Sequence, residues 1–188
     1  MNSRDLSFCA AMLALAAAAH AADPYVGINL TTSGEANFRI NNRVVPNDNH
    51  PHPVKLYAGL QFTPTWAVEF GYGAFGTWQA SDPAAGSTYQ ARLSSKVAYL
   101  AGRATQPLGE SFELFGKAGL ALNRVDRQDS LGYSARESYV RPMLGGGLAW
   151  RLAPQVSATV EYAHYGSRHG DGDDFTQQRV EAGLAFRF

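Results

Sequence analysis

Apolar residues recur at every second position in eight segments of the chain. These segments are residues 25–31, 53–62, 66–75, 91–103, 112–123, 139–152, 156–166 and 178–188. Successive side chains of a β-strand point to opposite faces, so this alternation predicts strands with one apolar and one polar face. Most segments are near the roughly 9 to 11 residues with which a tilted strand crosses a bilayer. The pattern therefore predicts an all-β fold of eight amphipathic strands.

The two faces are least regular in the fourth segment, 91–103, where apolar residues also interrupt the polar face. We place Val97, Tyr99 and Ala101 on its apolar face and Lys96 on its polar face. Pro142 weakens the start of the sixth segment, 139–152.

The predicted connections alternate in length. Those at 63–65, 105–111 and 153–154 are short, whereas those at 32–52, 76–90, 124–138 and 167–177 are long and polar. Short turns at one end and long loops at the other are typical of an antiparallel up-and-down barrel in the bacterial outer membrane. An even strand count places both termini at the short-turn end, which is periplasmic.

The first 21 residues have the pattern of a secretory signal peptide. Arg4 precedes an apolar run over residues 6–19, and the sequence "AHA" comes before Ala22. The run is shorter than the roughly 20 apolar residues of a spanning helix. We predict cleavage after Ala21, a barrel domain over residues 22–188, and a mature chain without Cys9 or any disulfide.

Charge and composition narrow the class of partner. The chain has 16 Lys and Arg against 16 Asp and Glu, so its formal net charge is zero. Nucleic-acid binding requires a basic excess on one face, and we expect no such partner. Nineteen glycines, nine tyrosines and ten phenylalanines agree with β structure.

Charged side chains occur on the polar face of the strands, which faces the interior of a membrane barrel. These are Lys55, Glu69, Lys96, Lys117, Glu161 and Glu181. Isolated charges are expensive away from bulk water, so we expect these side chains to pair and fill the lumen as a structural plug. A minority interpretation is that the same pairs gate a narrow ion path.

Large aromatic residues cluster on the apolar face near the predicted short turns. They are Phe62, Trp66, Phe112, Trp150, Phe186 and Phe188. Such a belt is favoured where the membrane meets water. In a secreted soluble barrel these rings would instead crowd one end of a lumen that eight strands barely fill with ordinary side chains. The membrane barrel therefore explains more than the soluble alternative does.

Four stretches resemble the OmpA-like eight-stranded outer-membrane β-barrels. They are "LYAGLQFTPTWAVEFGY", "FELFGKAGLAL", "GGGLAWRLAPQVSATVEYAHYG" and the final "VEAGLAFRF". The resemblance implies insertion by the outer-membrane assembly machinery, which reads the terminal aromatic strand. Larger members carry a peptidoglycan-binding domain after the barrel. This sequence stops at Phe188, so the resemblance does not extend to cell-wall anchoring.

The sequence "YAHYGSRHGDGDD" raises two chemical alternatives, a lipid A deacylase and a divalent-cation site. That deacylase family places a serine two residues after the histidine, but Gly166 stands there after His164, and Ser167 faces the other way in a regular strand. The remaining candidate ligands, His169, Asp171, Asp173 and Asp174, have no distinctive spacing, and the same holds for His50 and His52. We expect no enzyme, cofactor or metal.

Together these patterns predict a monomeric integral outer-membrane protein with a structural or surface-interaction role. Its expected contacts are outer-membrane lipids, lipopolysaccharide and the assembly machinery. The competing functions are a low-conductance ion pore and a lipid A-modifying enzyme.

Overall fold

The computed structural model describes residues 22–31, 38–40, 43–45, 53–82, 89–129, 134–168 and 175–188. The strands are β1 (Asp23–Thr31), β2 (Phe38–Ile40), β3 (Arg43–Val45), β4 (Val54–Gln61), β5 (Trp66–Asp82), β6 (Tyr89–Leu108), β7 (Phe112–Asp129), β8 (Ser134–Arg151), β9 (Val156–Arg168) and β10 (Phe175–Arg187). Among the described residues, no helix is long and apolar enough to cross a bilayer. The predicted signal peptide lies outside these ranges.

Eight of the strands close into one antiparallel barrel. Each strand pairs with its neighbour along the chain, from β4 to β10, and β1 joins both β4 and β10 to complete the circle. The predicted eight-stranded up-and-down barrel is therefore confirmed. The β2–β3 pair forms a separate two-stranded sheet inside the segment 32–52, which the sequence had indicated to be a loop.

The alternation of side chains fixes which face of the sheet looks into the lumen. On β7, Glu113, Phe115 and Lys117 are buried, while Leu114 and Leu120 between and beyond them are exposed. The same inversion holds around the barrel, where large apolar side chains cover the outside and charged ones lie inside. A soluble protein does the opposite, so the outer surface matches hydrocarbon rather than water.

The predicted register of the fourth segment, now part of β6, is wrong. Val97, Tyr99 and Ala101 are buried in the lumen, and Lys96 and Leu100 are exposed on the outside. Apolar residues occupy both faces of this stretch, so hydrophobic alternation alone could not choose between them. The inward placement of Tyr99 is explained by its hydroxyl, which donates to the buried Glu69 at 2.6 Å.

Several strands run further than their apolar patterns indicated. β5 continues to Asp82, β6 begins at Tyr89, β7 continues to Asp129 and β8 begins at Ser134. The predicted loops 76–90 and 124–138 are therefore partly strand. Beyond the bilayer the outer face no longer has to be apolar, so the alternation ends while the backbone ladder continues. At the other end, β6 reaches Leu108 and leaves a tight turn at Gly109, whose φ is +78°.

Candidate functional site

Six charged side chains of alternating sign run through the middle of the lumen. In spatial order they are Arg103, Glu69, Lys117, Glu161, Lys55 and Glu181. All are at most 7% exposed as whole residues. Three cations face three carboxylates, so this row, called here the lumen charge chain, has no net charge.

The shortest contacts of the chain surround Lys117 and Glu161. Lys117 Nζ donates to Glu69 Oε1 at 2.7 Å and to Glu161 Oε2 at 2.8 Å. The same Glu161 oxygen accepts from Lys55 Nζ at 3.0 Å, and Lys55 also pairs with Glu181. The second Glu161 oxygen, Oε1, is buried without a hydrogen-bond partner among the described residues. One carboxylate oxygen thus joins the two lysines.

Tyrosine and asparagine side chains hold the two outer carboxylates. Glu69 accepts from the hydroxyls of Tyr25 at 3.0 Å and Tyr99 at 2.6 Å. Glu181 accepts from the Tyr165 hydroxyl at 2.7 Å and from Asn29 Nδ2 at 3.2 Å. Hydrogen bonds to a charged group are roughly twice as strong as neutral ones, so these donors offset part of the cost of burying the carboxylates.

Aromatic rings hold the cations between their faces. The Arg103 guanidinium lies 4.2 Å from the centre of the Phe115 ring, and Lys117 Nζ lies 5.2 Å and 5.1 Å from the rings of Tyr57 and Phe115. Glycines opposite these rings make the space. A Cβ on Gly27 would overlap the Tyr57 ring. The lumen is therefore filled by a packed polar and aromatic core.

Apolar side chains pack in the lumen between the charge chain and the long-strand end, together with buried polar ones such as Arg179, whose guanidinium lies 4.7 Å from the centre of the Phe75 ring. Phe75, Met143 and Tyr165 are at most 1% exposed and pack together with Val97 and Ala121 in one cluster. Towards the short-turn end, a cavity of about 30 Å³ is lined in part by Arg103, Glu113 and Arg151. That volume holds only one or two waters. Packed side chains thus fill the middle of the described lumen.

Five of the six predicted lumen charges belong to this chain, and Lys96 does not. The sixth member is Arg103, which the reversed register of β6 had concealed. Both cations lie on the same strand seven residues apart and therefore on opposite faces. The buried Glu69 carboxylate favours the register that places Arg103 inside the barrel, where Arg103 Nη1 lies 3.7 Å from Glu69 Oε2.

All six predicted belt aromatics point outward at the short-turn end. Their exposed fractions run from 37% for Phe186 to 67% for Phe188. Phe112 stacks on Trp150 with ring centres 6.1 Å apart, and Phe186 meets Phe188 edge to face at 5.0 Å. Their function as membrane-interface anchors remains a prediction.

Within the residues that the structure describes, β8 has an open edge beyond the barrel wall, because the part of it before Leu144 has no partner strand on the β9 side. Its pairing with β9 stops at Leu144 opposite His164, while its pairing with β7 continues to Ser134 opposite Gln128. Pro142 has no N–H to continue the ladder, and Gly166 of β9, with φ +103°, packs against Arg141 and Pro142. The divergence of the two strands thus has a local cause.

The direction of the backbone N–H groups follows from two hydrogen bonds at the C-terminal end of β8 and from the unbroken register of β8 with β7. The N–H of Arg151 donates towards β7, and the N–H of Leu152 donates to Val156 at the start of β9. The backbone N–H groups of even-numbered residues therefore point towards β9. The N–H groups of Arg136, Ser138 and Val140 point to this open edge and have no acceptor in the described parts of the chain.

The enzyme and metal alternatives gain no support from the described residues. His164 lies on the outer-face side of β9, opposite Gln178, but the strand has a register shift after it, so regular alternation does not fix the direction of Ser167. The Ser167 side chain, His169, the aspartates 171, 173 and 174, and His50 and His52 lie outside what the structure describes. Within the part it does describe, no group of three potential metal ligands occurs.

The family model "Outer membrane protein beta-barrel domain" matches residues 7–188, which is nearly the whole chain. The chain belongs to this family of outer-membrane β-barrel proteins. Its location is the bacterial outer membrane. The periplasmic placement of the short turns and of both termini, typical of such barrels, remains a prediction. The predicted OmpA-like character is confirmed.

Individual relatives are distant. Outer membrane protein A of Shigella dysenteriae is 22% identical over 140 residues, which is 70% of this chain but 39% of that protein. OprG of Pseudomonas aeruginosa matches with a TM-score of 0.60 at 14% identity, over 89% of this chain and 96% of that one. Ail of Yersinia pestis, solved with the heparin analogue sucrose octasulfate, matches with a TM-score of 0.54 at 15% sequence identity. The match covers 89% of this chain and 97% of that one. These likenesses show the fold.

Proposed function

We propose that this barrel is a closed membrane scaffold that presents a β-sheet outside the cell for interaction with other proteins. The extension consists of the outer parts of β5 to β8, which remain paired beyond the level where β1 and β4 end. The single observation that carries the proposal is the open edge of β8.

The edge fits an extended peptide better than it fits a small molecule. Three consecutive N–H groups on one side, of Arg136, Ser138 and Val140, repeat every two residues as in a β-ladder. An extended partner strand can satisfy all three and gain affinity from main-chain hydrogen bonds. Edges of this kind are normally protected in monomeric proteins, so an exposed one favours an interaction role.

The lumen supports the scaffold interpretation over the pore. Its charge chain is neutral and internally paired, and the cluster of Phe75, Met143 and Tyr165 lies across the path to the outside. A pore would require both the apolar cluster and the ion pairs to rearrange. The pore therefore remains the second candidate, with ion conduction as its distinguishing property.

Proline at the edge provides a selective test. Ser138→Pro removes the edge N–H without touching the ladder to β7, whereas Ser138→Ala keeps the N–H and removes only the hydroxyl. Peptides selected from a random phage-displayed library on the refolded protein should bind the wild type and Ser138→Ala, and should lose binding to Ser138→Pro. Peptides that bind all three proteins equally, or fail to emerge at all, would contradict edge recognition.

A further inference from the structure

A group of basic side chains lies on the outer face of the barrel on three neighbouring strands. Lys96 of β6 stands directly opposite Arg124 of β7, and Asp126 of β7 stands opposite Arg136 of β8. All four point outward. The side chains of Arg124 and Arg136 are 45% and 67% exposed. Three cations and one carboxylate give this basic cluster a net charge of +2.

The height of the cluster follows from the apolar face of β7. Outward residues from Phe112 to Leu122 form the lipid-facing band, and the next outward residue is Arg124. Ten residues at about 3.3 Å each, tilted by about 40°, span about 25 Å, which is the height of the apolar band in such barrels. Arg124 and Lys96 therefore lie at the level of the outer-leaflet head groups, just above Leu122, Ala98 and Leu100.

Contacts within the cluster leave its charge unsatisfied. Asp126 accepts from Arg136 Nε at 2.6 Å, and its other oxygen lies 3.8 Å from Arg124 Nε. The Arg136 guanidinium holds the pKa of the Asp126 carboxyl below its usual range, so that carboxylate is ionised at neutral pH. The Lys96 side chain makes no hydrogen bond or ion pair with any described residue. Lys96 also attracts Asp126, but one carboxylate cannot neutralise three cations. Like charges directly opposite on adjacent strands are destabilising, so an external anion would stabilise Lys96 and Arg124.

Among the side chains that the structure describes, the cluster lies on one side of the barrel. Near the outer ends of β9, β10 and β1 the outward side chains include Tyr162, Gln178, Val180 and Leu30, and all four are uncharged. Rim charge spread evenly would indicate general attraction to an anionic surface. A cluster confined to β6, β7 and β8 indicates a bound group of defined position.

We propose that Lys96 and Arg124, with Arg136 beside them, bind a phosphate group on the head of a lipopolysaccharide molecule in the outer leaflet. Arginine and lysine donors of opposed strands can hold one phosphate between them. Acyl chains of the same molecule would lie against Leu122, Leu100 and Ala98 directly below. The position at the head-group level favours this lipid over a soluble polyanion. The site is independent of the β8 edge proposed above.

The test compares lipid A with dephosphorylated lipid A, which has the same acyl chains without the anion. Titrations followed by native mass spectrometry of the detergent-solubilised protein give a dissociation constant for each lipid. At roughly 1 kcal/mol per basic residue near a membrane surface, Lys96→Gln/Arg124→Gln should weaken lipid A binding about 25-fold. Lys96→Arg should retain binding. Arg151→Gln, which removes a cation at the opposite rim of the barrel, is the control and should not change it.

Folding of each variant is verified by heat-modifiable migration on a gel, so loss of binding cannot be mistaken for loss of the barrel. Equal affinity for the two lipids, or equal affinity of wild type and double variant, would overturn the proposal. Competition by inorganic phosphate at the same concentration as lipid A would reduce the site to a free-phosphate site and overturn the lipid assignment. Charge-dependent binding of a sulfated polysaccharide without binding of lipid A would do the same.

Discussion

Replacing Glu161 with glutamine removes the central negative charge of the lumen while keeping the shape of the side chain. Glu161 is 2% exposed, and its Oε2 accepts from Lys117 at 2.8 Å and from Lys55 at 3.0 Å. The variant leaves the lumen charge chain with three cations and two carboxylates. Stranding one partner of a buried ion pair costs about 3 to 5 kcal/mol. Because Lys117 keeps Glu69 and Lys55 keeps Glu181, we expect a loss near the lower end, about 3 kcal/mol.

Urea unfolding of the protein in lipid vesicles measures this loss. With a slope of about 1 to 3 kcal/mol per molar urea, the midpoint should fall by about 1 to 3 M. Lys96→Gln is the matched control: it removes a charge outside the lumen and should change the free energy of unfolding by no more than about 0.5 kcal/mol.

A double variant tests the charge balance itself. Lys117→Met combined with Glu161→Gln leaves Arg103 with Glu69 and Lys55 with Glu181, so the lumen is neutral again. The double variant should be more stable than the sum of the two single losses predicts, by about 0.5 to 3 kcal/mol. An unchanged midpoint in Glu161→Gln, or strictly additive losses, would refute the idea of a coupled lumen charge chain.

Three further predictions concern other parts of the barrel. Gly27→Ala should lower the free energy of unfolding in a urea titration by about 1 to 3 kcal/mol, because the new Cβ would overlap the Tyr57 ring. Gly102→Ala is the control and should not lower it, because the nearest atom to its Cβ outside the neighbouring residues is 3.9 Å away. Deleting Phe188 should cost little in vitro but sharply reduce the amount of protein in the outer membrane, measured by fractionating cells; equal losses in both assays would indicate ordinary packing. Arg136→Gln should raise the pKa of Asp126 towards its usual value in an NMR titration. The pKa of Asp126 is lower in the folded state, so its pairing with Arg136 stabilises the fold at pH values above the ordinary carboxyl pKa. This stabilisation is lost as the pH falls through the pKa of the folded state. An unshifted pKa of Asp126 in the wild type would contradict the pairing.

Hydrophobic alternation was sufficient to predict the barrel because the bilayer imposes an apolar outer face on every spanning strand. It failed in β6, where "VAYLA" is apolar on both faces and the deciding contact, Tyr99 with Glu69, joins residues 30 positions apart. The hydrophobic alternation of β7 also ends before Arg124, so it did not predict that the strand continues to Asp129. The open edge of β8 was not predicted, because it depends on where β9 diverges rather than on the composition of β8.

Five of the six members of the lumen charge chain could be predicted from the sequence, but Arg103 and the order of the contacts could not. The order of the contacts from Arg103 to Glu181 depends on the relative stagger of strands that are far apart in the chain. The hydrogen bonds from the Tyr25 hydroxyl to Glu69 and from the Tyr165 hydroxyl to Glu181 could not be predicted for the same reason. Inward tyrosines opposite glycines, such as Tyr57 opposite Gly27, are the signal that could have located this core.

Ion conduction is the property that most directly separates a closed scaffold from a pore. Wild-type protein refolded and inserted into planar bilayers should give no current above that of the lipid alone at any holding potential, since packed side chains around Phe75 and Met143 fill the lumen and the charge chain is internally paired. Discrete conductance steps from the wild-type protein that change size when Glu161 is replaced by glutamine would contradict the closed lumen and establish the pore.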